Sequence, residues 1–151
     1  MNILIRPGLL FDIDTIAQFQ IKMALETENL NLDPSIVHMG VSAVLDDPTK
    51  GKYWVAEVDG HIVGCLLTIP EWSDWRNGTV FWIHSVYVEP KFRRAGVFKA
   101  LYLHLKENVL SSPELRGLRL YVDKTNLVAQ KVYTDLEMDR EHYHLYEWMK
   151  S

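Results

Sequence analysis

The spacing of apolar residues changes along the chain, and this change separates predicted helices from predicted strands. An apolar run at residues 2–6 predicts a short strand that ends at Pro7-Gly8. Apolar residues then recur at helical spacing in two stretches, the second of which begins at Asp33-Pro34. Aspartate is a preferred helix cap, and proline is favoured at the first helical position. This part of the sequence therefore predicts one strand followed by two helices, the first of them capped by Asp12.

The central part of the sequence has the two-residue period of strands. Tyr53–Val58 and Ile62–Ile69 are such runs, and Asp59-Gly60 between them is a strong signal for a two-residue hairpin turn. Thr79–Val88 is a third run, rich in β-branched and aromatic residues. We expect the second strand to end before the proline that follows it, so that the segment EWSDWRNG at residues 71–78 connects two strands as a loop. Three consecutive antiparallel strands would then form the centre of the sheet.

The last third of the sequence uses both periods. Apolar residues share one stripe of a helix predicted from about Gly96 to Leu110, and Leu118–Val122 alternates as a strand. A last helix follows, and residues 142–149 predict a closing strand. The order of elements is that of an α/β (α+β type) fold with a mostly antiparallel sheet. Because no linker or repeat interrupts the sequence, residues 1–151 are predicted to form a single domain.

Composition narrows the classes of function. The net charge of -4 and the pI of about 5.8 argue against a general nucleic-acid binder, which is normally basic. Cys65 is the only cysteine, so no disulfide can form within the chain, and no thiolate metal site is expected. The N-terminus lacks the apolar run of a signal peptide, and no stretch approaches the roughly 20 apolar residues of a membrane helix. We therefore expect a cytoplasmic protein with no membrane or nucleic-acid partner.

Against this acidic background, the segment PKFRRAGVFKALY at residues 90–102 holds four cationic side chains around one glycine. The first amides of the predicted helix have no partner within the helix, and together with the helix dipole they attract anions. Gly96 lets the backbone approach a ligand closely, and the cationic side chains add full charges. The segment therefore predicts a diphosphate-binding site, although it is neither a Walker loop nor a GxGxxG dinucleotide motif. A solvated basic helix start is the alternative interpretation.

Two segments of the sequence resemble the GNAT superfamily of N-acetyltransferases. SVYVEPKFRRAGVFKALY is similar to the acetyl-CoA-binding signature, in which a strand runs into Val-x-Pro and then R/Q-x-x-G-x-G/A at the mouth of a helix. Phe98 stands where the family has a small residue. NLVAQKVY at residues 126–133 is similar to the N-x-x-A-x-x-x-Y helix of the family. The resemblance covers essentially the whole chain, and it implies a twisted, mostly antiparallel sheet of about six to seven strands flanked by about four helices.

The resemblance also implies an activity, which is transfer of an acetyl group from acetyl-CoA to a primary amine by direct attack in a ternary complex. The strand before the loop would pair its backbone with the pantetheine arm and direct one N–H at the acetyl oxygen. The loop would hold the diphosphate, mostly through backbone N–H groups. The cofactor-binding residues implied are Val86, Tyr87, Val88, Arg93, Arg94, Ala95, Gly96, Val97, Phe98, Lys99 and Asn126. Asn126 is equally well explained as a helix cap.

Three residues are candidates for proton transfer. Tyr133 would stabilise the departing thiolate, since a phenol titrates near 10 and a thiol near 8.5; a core tyrosine is the alternative. His84, two residues before Val86, would take the proton of the acceptor ammonium, because its reference pKa is near 6.5; a buried histidine bonded to a neighbour is the alternative. Glu71, at the end of the preceding strand, is the rival base, and a water chain could serve either residue.

The sequence defines the acceptor only as an amine of a small molecule or a peptide. Glu71 and Asp74 could attract a cation, and Trp72 and Trp75 could offer cation–π faces. The alternative is a hairpin loop whose tryptophans pack on the sheet. For the protein as a whole, the alternative function is a non-catalytic acyl-CoA-binding or sensor domain on the same fold, whereas the acidity disfavours a nucleotide- or RNA-binding module. Because dimers are common in the family, the resemblance also implies that a homodimer can form.

Overall fold

The computed structural model describes every residue from Met1 to Ser151. Its strands are β1 (Leu4–Pro7), β2 (Lys52–Val58), β3 (His61–Ser73), β4 (Gly78–Val88) and β5 (Leu115–Leu120). Its helices are α1 (Ile13–Glu28), α2 (Pro34–Asp46), α3 (Val97–Ser111) and α4 (Leu127–Asp135), with short 3-10 turns at Leu10–Asp12 and Pro90–Phe92. The chain forms two compact units, Met1–Leu120 and Tyr121–Ser151, and the first of them contains the whole sheet.

The sheet has the strand order β1-β2-β3-β4-β5, with antiparallel pairing up to β4 and parallel pairing between β4 and β5. The predicted α+β class, the four helices and the mostly antiparallel sheet are confirmed. The expected six to seven strands are wrong, because the sheet has five. Residues 142–149 form no strand, and side chains such as Tyr146 and Trp148 are 92% and 87% exposed. The sequence pattern of a segment can predict which side chains would share a face of a strand. It does not show whether a neighbouring backbone is available to pair with that strand.

Strand β3 is longer than the sequence predicted. It continues through Pro70 to Ser73, so that most of the expected EWSDWRNG loop is an extension of the β3–β4 hairpin. The pairing between β2 and β3 ends at Lys52 with Thr68, so Pro70 lies in a part of β3 that has a neighbouring strand on one side only. A proline, which lacks an N–H donor, is tolerated in such an edge position.

Helices cover both faces of the sheet and fix the position of its central strands. On one face, α1 and α2 enclose an apolar core; its buried residues are Ile16, Ala17, Phe19, Val41, Tyr53, Val55, Cys65, Leu67 and Tyr87. On the other face, Val97 at the start of α3 packs so closely that a Cβ added at Gly64 of β3 would lie 3.1 Å from Val97 Cγ1. The first turn of α3 is therefore anchored directly on the sheet. No α-helix in the structure has both the length and the apolar character needed to cross a bilayer.

Candidate active site

Strand β4 contains a bulge next to one end of its pairing with β5. Tyr87 is opposite Cys65 and His84 is opposite Leu67, so β4 has one residue more than β3 between these two pairs. Ser85 accommodates the extra residue with a left-handed φ of 54°. The β4–β5 pairing stops at Ile83 with Leu120, before the bulge. Within the unit Met1–Leu120, the β5 side of residues 86–88 is therefore without a strand partner.

The turn from β4 into α3 leaves a row of backbone amides without protein partners. The turn closes through hydrogen bonds from the Phe92 amide to the Glu89 carbonyl (2.9 Å) and from the Arg93 amide to the Pro90 carbonyl (3.2 Å). The next amide that donates to the backbone is that of Ala100, which binds the Gly96 carbonyl at 2.9 Å. Between them, the amides that donate no hydrogen bond to the protein are those of Arg94, Ala95, Gly96, Val97 and Lys99. Such a row at a helix start is an anion-binding arrangement.

Two left-handed residues give this turn its shape. Arg94 has a φ of 62° and Gly96, which caps α3, has a φ of 83°. A Cβ added at Gly96 would meet no protein atom within 4 Å, so the backbone conformation favours glycine and neighbouring side chains do not require it. The space beside Gly96, in the middle of the row of free amides, is therefore open.

Of the four cationic side chains of the segment, Lys91 places its Nζ 5.2 Å from the centroid of the Phe92 ring, and the other three divide into two groups. Arg94 and Lys99 are exposed and form no ion pair, so their charges remain available beside the free amides. Arg93 instead donates from Nε to the Val88 carbonyl (2.8 Å) and from Nη2 to Glu26 Oε2 (2.7 Å). Phe98 is half-buried, with its ring centroid 6.3 Å from that of Tyr102. The bulky residue at this position therefore packs along α3.

Glu71 and His84 lie on the same face of the sheet, on either side of Trp82. Trp82 Nε1 donates to Glu71 Oε2 at 2.7 Å, and Arg119 Nη1 donates to Glu71 Oε1 at 3.0 Å. The Trp82 and His84 ring centroids are 6.3 Å apart. Burial lowers the pKa of His84 below its ordinary 6.5, so the imidazole is neutral at neutral pH and can accept a proton. Sequence reasoning missed Trp82 and Arg119, because only the register of three strands brings them to Glu71.

Asn126 and Tyr133 lie on one helix in the unit Tyr121–Ser151. The Asn126 side chain caps α4 by accepting a hydrogen bond from the Ala129 amide at 3.1 Å. Tyr133 follows two turns later, and burial raises the pKa of its phenol above the ordinary 10. The phenol is therefore protonated throughout the neutral range and can act as a hydrogen-bond donor.

Residues 19–138 match the model of the acetyltransferase (GNAT) family, and the chain belongs to this family. No curated protein matches the sequence. Among solved structures, a possible acetyltransferase from Clostridium difficile 630 is 40% identical, with a TM-score of 0.92 and coverage of 100% of this chain and 99% of that chain. The ribosomal-protein-alanine N-acetyltransferase from Brucella melitensis biovar Abortus 2308 is 17% identical, with a TM-score of 0.80 and coverage of 99% and 100%. Aminoglycoside N-acetyltransferase AAC(6′)-Iy in complex with CoA is 15% identical, with a TM-score of 0.77 and coverage of 99% and 96%. The last two share the fold.

Proposed function

We propose that this protein is an N-acetyltransferase that moves the acetyl group of acetyl-CoA to a primary amine of a small molecule or a peptide, by direct attack in a ternary complex. The observation that carries the proposal is the row of free amides at the start of α3, beside open space and two exposed cations. A diphosphate matches this donor set, because its oxygens accept several N–H bonds and its charge is opposite to that of Arg94 and Lys99.

Different parts of the proposed site would bind different parts of CoA. The amides of residues 94–99 would hold the diphosphate of CoA, and the open edge of residues 86–88 would pair with its pantetheine arm as a neighbouring strand would. Acetyl-CoA supplies an activated acyl group as a thioester. An N–H on the same edge would bind the thioester oxygen, and a fixed donor at that position stabilises the charge that develops during attack.

Two side chains would move protons. His84, neutral at pH 7, would take a proton from the acceptor ammonium, either directly or through water. Glu71 is the rival base, but each of its oxygens already accepts a hydrogen bond, from Trp82 and from Arg119, which favours a role in holding the site together. Tyr133 would donate to the departing thiolate.

The acceptor is proposed only as an amine. The structural neighbours include proteins named for acetylating an aminoglycoside and a ribosomal-protein alanine, so the shared fold does not select one acceptor. A thiol-release assay over a panel of small amines and peptide N-termini would identify the class. Binding of acetyl-CoA without thiol release for any acceptor would favour the non-catalytic sensor.

Binding of CoA should raise the melting temperature of the protein. At a free CoA concentration about ten times Kd, the increase should be about 3 °C or more, because a ligand that binds only the folded state stabilises it. ATP and single-stranded RNA at the same concentrations should give no shift. The measurement is a thermal unfolding curve at increasing CoA concentration, and an unchanged curve at millimolar CoA would contradict the proposed function.

The pH dependence of acetyl transfer should identify the base. Only neutral His84 can accept a proton, and burial disfavours its charged form, so the acidic limb of kcat/KM should have its midpoint below pH 6.5, the ordinary pKa of histidine. His84→Gln should remove this acidic limb from the profile of kcat/KM against pH. Glu71→Gln is the matched variant and should keep it. Loss of the limb in Glu71→Gln and its retention in His84→Gln would assign the base to Glu71.

A further inference from the structure

One arginine of the anion-binding segment connects three parts of the fold. Besides its bond to the Val88 carbonyl at the end of β4, Arg93 binds Glu26, which lies 67 residues earlier in the last turns of α1. The Arg93 guanidinium carbon also lies 5.5 Å from the centroid of the Tyr87 ring. Glu26 therefore connects α1 to the point where β4 ends and the turn into α3 begins.

The Glu26 carboxylate also acts on Tyr87. The pKa of the Tyr87 phenol lies above its ordinary value, first because the group is desolvated and next because the negative charge of Glu26 is close. Tyr87 is 4% exposed and its ring is 4.9 Å from that of Phe19 on α1. Glu26 and Arg93 thus pair at the exposed rim of a packed core, with the Arg93 guanidinium beside the Tyr87 ring.

The turn needs such an anchor because its own conformation is strained. Arg94 is a non-glycine residue in the left-handed region, and conformations of this kind persist only where the surroundings hold them. Among residues 90–96, Arg93 alone forms a side-chain hydrogen bond, and its two partners are Val88 and Glu26. Arg93 therefore adds a side-chain link to the packing of Val97 on the sheet, and both hold the free amides relative to the edge of β4.

We propose that Glu26 is a positioning residue, which holds Arg93 against the Val88 carbonyl and thereby fixes the anion-binding turn relative to the open edge of β4. This inference rests on the proposed function, since CoA is the ligand that would span both places. Glu26 contributes no backbone group to either place and acts through the side chains of Arg93 and Tyr87. The Glu26–Arg93 pair would keep the anion-binding turn and the open edge of β4 at the separation that CoA requires. Once the diphosphate is bound at the turn, the pantetheine arm would then meet the edge of β4 at high effective concentration.

Isothermal titration with two probes tests the proposal. The probes are CoA and 3′-phosphoadenosine 5′-diphosphate, the fragment of CoA that lacks the pantetheine arm. Glu26→Gln should weaken CoA binding about fivefold and leave the affinity for the fragment unchanged or slightly higher, because only CoA bridges the two regions. Glu26→Asp, which keeps the charge but shortens the side chain, should also weaken CoA binding. Glu28→Gln, on the same helix, is the matched control and should bind CoA as the wild type does.

The direction of the change in CoA affinity distinguishes a positioning role of Glu26 from a purely electrostatic one. If the carboxylate acted only through its charge, Glu26→Gln would bind CoA more tightly, since a negative charge near an anion site is lost. Tighter or unchanged CoA binding, equal weakening of both probes, or equal weakening in Glu28→Gln would each overturn the positioning role while leaving the proposed function intact. In the double variant Glu26→Gln/Arg93→Gln, CoA should bind no more weakly than to Arg93→Gln alone. Failure of the wild type to bind CoA would instead remove the proposed function, and this inference with it.

Discussion

Replacing Tyr133 with phenylalanine should slow acetyl transfer about tenfold to a hundredfold while leaving the affinity for CoA nearly unchanged. The phenol is proposed to donate a hydrogen bond to the sulfur of CoA as the thioester breaks, and that negative charge exists only during reaction. Removing an interaction made only in the transition state lowers kcat and kcat/KM together. Because burial raises the pKa of Tyr133, the donor stays protonated over the whole assay range, so the defect should not depend on pH between about 6 and 9.

Steady-state kinetics with acetyl-CoA and a reactive amine would measure the effect. Tyr146→Phe is a matched control, because Tyr146 lies in the same unit and is 92% exposed. It should retain wild-type kcat. An unchanged kcat in Tyr133→Phe would show that Tyr133 takes no part in the reaction. An increase in KM with unchanged kcat would instead assign Tyr133 to substrate binding.

Replacing Gly96 with alanine should weaken CoA binding about tenfold. An L-residue in the left-handed region costs about 1–2 kcal/mol, and the turn can relieve this strain by changing the directions of its free amides. The added methyl group would also occupy part of the open space beside Gly96. The measurement is the Kd for CoA by titration, together with the melting temperature of the free protein.

The chain provides a close control for this variant. Gly60 in the β2–β3 turn has a φ of 78°, against 83° at Gly96, and an added Cβ would also meet no atom within 4 Å there. Gly60→Ala should therefore lower the melting temperature by a similar amount but leave the Kd for CoA unchanged. Equal Kd values for the two variants would argue against ligand binding at the start of α3.

Local signals in the sequence predicted the parts of the fold that depend on neighbours along the chain. Asp59-Gly60 forms the predicted hairpin turn, and Asp33 caps α2 by accepting hydrogen bonds from the amides of Ser35 and Ile36. The helix expected from Gly96 begins at Val97 with Gly96 as its cap. In each case a residue's own backbone preference or a side chain within a few positions decides the structure.

Features that depend on distant partners could not be predicted in the same way. In the sequence, Pro70 indicates the end of a strand. It can lie within β3 because the neighbouring β2 ends before it, and the sequence does not show where β2 ends relative to β3. The sequence marks Arg93 as a cation but does not show that Glu26, far earlier in the chain, takes up its charge. The assignment of Glu71 as a base is less favoured in the structure, because Trp82 and Arg119 donate hydrogen bonds to its two oxygens. The roles of the individual site residues in catalysis stay predictions until the variants are measured.

The bulge at Ser85 allows the length of β4 to change by one residue at this point. His84 and Tyr87 are three positions apart, yet both pair with residues of the same face of β3, Leu67 and Cys65, which regular alternation would not allow. Deleting one residue between His84 and Tyr87 would give β4 and β3 equal numbers of residues between these pairs, so both side chains would keep their face of the sheet in a strand without a bulge. Such a deletion should therefore leave the register of β3 and β4 intact and remove the bend and extra twist that a bulge gives to β4, beside the point where its pairing with β5 stops.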